Sequence, residues 1–187
     1  MLRASFLLVC FPAPLSVAWH ARHARRGAGG LRLDAAGGGG ALAEAGRALI
    51  ECSGEVPDSF PTAFSSGVSN SGKSMILASQ HCDTEDWPLV VDALFDSSEC
   101  LSVACASLPD DLASLADCLQ VAASELKSAA EIDGCMNIGP PAAAPNVEIS
   151  GQSLIRAARG MGYSAAGARL EEAGEALVDL ASEWGDS

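Results

Sequence analysis

Apolar residues recur along this chain at the three-and-four spacing of a helix, and runs that alternate in and out as a strand would are rare. Leu42, Ala45, Leu49 and Cys52 form one short stripe, which Gly54 and Pro57 end. Val90, Leu94, Ser97, Leu101, Ala104 and Leu108 form a second, and Leu112, Leu115, Leu119, Ala122, Leu126 and Ala129 a third. Between these two, Ser107-Leu108-Pro109-Asp110 has the S-x-x-D form of a helix start with Pro in the first turn. So short a connection predicts an antiparallel αα-hairpin. Gly134 and the Pro140–Pro145 run then separate the hairpin from a last helix beginning near Ser150. That helix carries Leu154, Ala158, Met161 and Ala165, slips in phase near Gly167, and continues with Leu170, Ala173, Leu177, Leu180 and Trp184. The expectation is an all-α fold: a four- to five-helix bundle around a central antiparallel αα-hairpin. Residues 58 to 82, rich in Gly and Ser, read poorly.

The N-terminus follows another pattern. Arg3, the apolar run Phe6 to Phe11 and the small residues Ser16-Val17-Ala18 have the layout of a signal peptide over residues 1–18, too short in its apolar part to span a membrane. Trp19 and a basic, acid-free stretch containing Arg22, Arg25 and Arg26 follow, and then Gly37 to Gly40, a run without side chains to pack. Residues 19–40 thus read as a transit-like segment and linker, and residues 41–187 as the folded domain. A signal peptide, an aromatic residue at the first position after it and a basic segment together resemble the bipartite presequences of algae with red-lineage secondary plastids, here with Val17-Ala18-Trp19-His20 where those carry Phe. That resemblance implies a plastid address; secretion and a mitochondrial presequence are the alternatives.

Charge divides the chain in the same place. Residues 1–33 hold five Arg and no acid, which leaves six Lys and Arg against 24 Asp and Glu beyond them, a net charge of −18. Such a body repels phosphate backbones, so nucleic acid is not an expected partner. Scarce aromatics and abundant Ala call for a core of small groups with helices close together. Leu42 to Glu51 and Leu170 to Asp179 echo one another, each with a Gly (Gly46, Gly174) beside its apolar stripe. Close packing of two amphipathic helices accounts for the echo without a duplication.

Six of the seven cysteines lie beyond the signal-like segment. Cys100 and Cys118, and likewise Cys82 and Cys135, stand almost equally far from the Leu108–Pro109 turn, so an antiparallel hairpin seats each pair at one height. Nested disulfides Cys100–Cys118 and Cys82–Cys135 are one expectation, with Cys52–Cys105 as a third bridge. The other is that the thiols pack as small apolar groups. The cysteines lack the close C-x-x-C pairs of a zinc site, and no metal or other cofactor is expected.

Gly67-Val-Ser-Asn-Ser-Gly72-Lys73-Ser74 fits G-x-x-x-x-G-K-[ST] and resembles the phosphate-binding loop of P-loop NTPases. The resemblance implies Lys73 on phosphate and Ser74 on Mg²⁺, with Gly67 and Gly72 shaping the loop and Leu89-Val-Val-Asp92 as the second, acid-ended strand. Such a loop needs a buried strand before it, and Ser59 to Ser66, interrupted by Pro61, does not read as one. His81 is the only His outside the presequence, which leaves no nucleophile–base arrangement to assemble. The function expected from these features is that of a non-enzymatic accessory subunit. It docks, without a membrane span of its own, onto protein subunits of a larger organellar assembly, a photosynthetic complex in or on the thylakoid if the plastid address holds. The alternatives are a nucleotide-binding enzyme using Gly67–Ser74 and a secreted, disulfide-stapled helical protein.

Overall fold

A computed structural model of the chain describes residues 39–131 and 140–186, which lie within one compact unit, Ala35–Ser187. The signal- and transit-like segments and Cys135 fall outside the described residues. The protein is all-helical, with six α-helices among the described residues: α1 (Gly39–Glu55), α2 (Thr62–Cys82), α3 (Trp87–Ala106), α4 (Ala113–Glu131), α5 (Ala144–Gly160) and α6 (Ala165–Gly185). Short 3₁₀ turns at Asp110–Leu112 and Pro140–Ala142 lead into α4 and α5. No described helix is long and apolar enough to cross a membrane.

Each helix packs on the next, and α6 returns onto α1, so the helix contacts close into a ring. The core is made mainly of Leu and Ala with a few large groups, Trp184, Phe64 and Met75 among them. At the start of α3 and the end of α6, the Trp87 and Trp184 rings meet edge to face, 6.3 Å apart, across the ring. Burying a Leu or Phe side chain is worth about 1.5–3 kcal/mol, so this apolar lining is the main source of cohesion.

Six helices replace the expected four or five for two local reasons. The Gly- and Ser-rich stretch that read poorly is α2, a 21-residue helix whose Gly67, Ser71 and Gly72 turn inward. Residues without bulk weaken an apolar signal but permit close neighbours. The expected bend near Gly167 is instead a break between α5 and α6. Gly162 takes a positive φ of 68°, a backbone state nearly free for Gly, and the Ser164 hydroxyl caps α6 by accepting from the Gly167 N–H at 3.0 Å.

Three boundaries also differ from expectation. The Ser107 hydroxyl donates back to the Ala104 carbonyl at 2.7 Å and so closes α3; α4 starts six residues later. α5 starts at Ala144, with Pro145 in its first turn, six residues before Ser150. α1 already includes Gly39 and Gly40 of the Gly run. A Cβ on Gly39 would collide with the Asp83 side chain and the Ser79 carbonyl.

Candidate functional site

Gly67, Gly72, Lys73 and Ser74 lie in the middle of α2, not on a loop. Helical backbone N–H groups are committed to carbonyls four residues back, so none is free to cradle a phosphate. The two glycines serve contact instead. A Cβ on Gly72 would stand 2.5 Å from the Gly46 carbonyl oxygen of α1, and one on Gly67 would stand 2.7 Å from the Cys100 carbonyl oxygen of α3. Lys73 is exposed and its Nζ donates to Asn70 Oδ1 at 3.3 Å. Leu89 to Asp92, expected as the second strand of a nucleotide site, is the opening of α3. These four residues share a sequence motif but follow one another along a helix rather than around a loop.

The same construction recurs in α5 and α6. A Cβ on Gly151 would meet the Gly174 carbonyl oxygen at 2.6 Å, and one on Gly174 the Gly151 carbonyl oxygen at 2.6 Å. The residues around Gly72 and Gly151 correspond as well: Val68-x-x-Ser71-Gly72-x-Ser74-Met75-Ile76 matches Val147-x-x-Ser150-Gly151-x-Ser153-Leu154-Ile155. Ile50 and Ile76 flank the first crossing as Val178 and Ile155 flank the second. Thus α2 matches α5, and α1 matches α6, in reversed chain order. Tandem duplication would preserve the order, so the echo reports shared packing chemistry. The matching serines are both buried. Ser71 Oγ bonds Ser97 Oγ of α3 at 2.7 Å, and the Ser150 hydroxyl donates to the Ala122 carbonyl of α4 at 2.9 Å.

The described cysteines line the interior more than they approach solvent. Cys52, Cys82 and Cys105 are buried, and Cys52, Cys100 and Cys105 carry free thiols. Burial, with Glu55 adding to it, pushes the Cys52 thiol up to about 12. Burial likewise pushes Cys105 up to about 11. Cys100 is raised by burial and then by Asp96 and Glu99. Such thiols resist ionisation and make poor nucleophiles. On the neighbouring face of α3, Lys127 of α4 pairs with Glu99 at 3.3 Å and stands 4.9 Å above the Phe95 ring. Cys82–Cys135 involves a residue outside those described.

Among the described residues no three His, Cys, Asp or Glu side chains converge as metal ligands. The Trp184 indole N–H is buried without an acceptor, a cost of about 1–3 kcal/mol. Arg169, at the start of α6, bonds Glu172 at 2.8 Å and pairs with Glu51 of α1 at 3.1 Å, which closes the ring's last seam.

Sequence reasoning missed the outer surface. Among the described residues the exposed large apolar ones are Leu77, Leu89, Val103, Val121, Ile149 and Tyr163, and none of these lies on α1 or α6. Tyr163 stands fully exposed in the turn after α5. Arg156 and Arg159, also exposed, enter none of the ion pairs among the described residues despite the acidic surroundings. Their spacing along α5 was readable, but the accompanying Ile149 and Tyr163 only become a surface once the buried face is known. Protein-family models, curated proteins and solved structures give no match to this chain.

Proposed function

We propose that this protein is a non-enzymatic accessory subunit that works by docking onto protein subunits of a larger organellar assembly. The observation that carries the reading is the division between interior and exterior. The nucleotide-like motif is spent on helix crossings, while exposed apolar and unpaired cationic side chains stand on outward faces of α3, α4 and α5 and in the turn after α5. Large exposed apolar and aromatic groups beside Arg are the usual anchors of protein contacts. The organellar part rests on the N-terminal segment alone, whose signal-like and basic halves support a plastid destination, and with it a photosynthetic host on the thylakoid.

The test is to isolate the protein from its native source without denaturants, size it, and identify what travels with it. Co-migration with a defined set of larger subunits is the expected result. Recovery with no other polypeptide attached overturns the reading. Peptide mapping of the same sample supplies the mature N-terminus: a start well beyond Trp19 fits two-step import, and a start at Trp19 fits secretion.

A further inference from the structure

The outer face of α5 departs from the acidic body around it. Beyond residue 33 the chain has a net charge of −18, yet between Glu148 and Glu171 it carries no acid and three Arg. Arg169 is engaged by Glu51, Glu55 and Glu172. Arg156 and Arg159 are exposed and enter none of the ion pairs among the described residues. Intervals of three and four keep Ile149, Gln152, Arg156 and Arg159 on one helix face, and Tyr163 follows in the turn. Helix α3 supplies the contrast. With the fully buried Leu101 and Leu154 aligned, α3 has Asp96, Glu99, Val103 and Ala106 where α5 has Ile149, Gln152, Arg156 and Arg159. An acidic outward face on one helix is thus a basic one on the other.

We infer that this face is the docking surface of the protein, and that its occupant is an acidic segment of another subunit, one helix wide, whose apolar side chains meet Ile149 and Tyr163. The inference rests on the docking function proposed above and names its surface. Charge complementarity sets the sign of the occupant. Two neighbouring guanidiniums without a carboxylate of their own favour Asp and Glu, which Arg holds through paired hydrogen bonds. Residue type favours a protein. Arg and Tyr are enriched among side chains that carry binding energy, whereas Leu and Val, the remaining large apolar groups exposed among the described residues, are under-represented there. The surrounding acids favour a narrow segment over an anionic membrane. The Ser150 hydroxyl bonds the Ala122 carbonyl at 2.9 Å, which sets these residues level on antiparallel α5 and α4. Asp117, exposed on α4 five residues before Ala122, therefore lies near the height of Arg156, six residues beyond Ser150. Glu148, exposed and bonded to Gln152 at 2.9 Å, adjoins Ile149. A flat anionic sheet reaching both Arg meets these carboxylates as well; a segment laid along α5 avoids them. At about 0.15 M salt the screening length is roughly 8 Å, so repulsion from the rest of the body fades while contact pairs persist.

The test places benzoylphenylalanine, a photo-reactive side chain, in place of Tyr163 in the full chain. The protein is irradiated in a native extract of its source, and the cross-linked peptide is sequenced. The expected product is a peptide whose Asp and Glu outnumber its Lys and Arg. Arg156→Glu with Arg159→Glu should lower the yield of that same product at least about tenfold, because both contacts then carry like charges. Lys73→Glu, at an exposed position on α2, should leave the yield unchanged. Replacing the acids of the sequenced segment by Lys should restore capture by the doubly reversed variant. Circular dichroism with thermal unfolding checks that each variant keeps the fold. A lipid product, a neutral or basic peptide, capture that survives the double reversal, or a charge swap that restores nothing would each overturn the inference. In those cases co-migration with larger subunits still stands as evidence for docking through another face. A chain that captures nothing and also runs alone overturns both the surface and the docking function.

Discussion

The α1–α2 crossing and the α5–α6 crossing are built alike inside and differ outside. Inside, Gly46 meets Gly72 as Gly174 meets Gly151, and Ile50 and Ile76 stand where Val178 and Ile155 stand. Outside, where α2 carries Asn70, Lys73 and Leu77, α5 carries Ile149, Gln152 and Arg156 at the matching positions. The inner residues have to satisfy a steric condition, backbone against backbone, that few side chains meet. The outer residues are under no such condition, and there the two halves of the molecule diverge. Resemblance between the halves therefore reports packing, and divergence marks surfaces free to serve partners.

The likeness of the interiors is broken most severely by emptying matched core sites. Met75→Ala in α2 and Leu154→Ala in α5, both at fully buried positions, should each cost about 2–5 kcal/mol, read by chemical denaturation. Similar losses sharpen the comparison; a loss at one site alone breaks it. Gly72→Ala and Gly151→Ala come next. Each added Cβ meets a carbonyl oxygen of the facing helix, and overpacking of this kind costs about 1–3 kcal/mol despite the better helix propensity of Ala. Gly54→Ala, where a Cβ meets nothing within 4 Å, should instead stabilise α1 by about 0.5–1 kcal/mol.

The buried serines separate the halves more finely. Ser71→Ala strands the Ser97 hydroxyl in the core, for a loss of about 1–3 kcal/mol. Ser150→Ala removes a donor from a carbonyl at the middle of α4, and should cost only about 0.5–1.5 kcal/mol. A separate effect is expected at high pH. With Cys52 raised from 9.0 to about 12, the folded state holds a proton that the unfolded state gives up. Stability from this group is full below pH 9 and falls as pH rises toward 12. Alkylation rates in the native protein should accordingly be slow at Cys52 and Cys105, and a fast native rate at Cys52 would contradict its burial.

The Leu- and Ala-based stripes of α1, α3, α4 and α6 were legible because their inward faces repeat bulky apolar groups such as Leu42, Leu94, Leu119 and Leu177. α2 was not, because Gly67, Ser71 and Gly72 make its buried face look polar or empty. The same absence of bulk produced a phosphate-loop pattern where the residues in fact serve contact. The α5–α6 break was half legible, as a phase slip; only the positive φ of Gly162 turns a bend into a turn.

The most direct test of the claim that Gly67–Ser74 serves packing is thermal unfolding of the wild type, Gly72→Ala and Lys73→Ala, each with and without Mg²⁺ and nucleoside triphosphate. The expected result is a lower midpoint for Gly72→Ala, a nearly unchanged midpoint for Lys73→Ala, and no response to nucleotide in any of the three. A nucleotide-dependent rise in the wild type that disappears in Lys73→Ala would contradict the account.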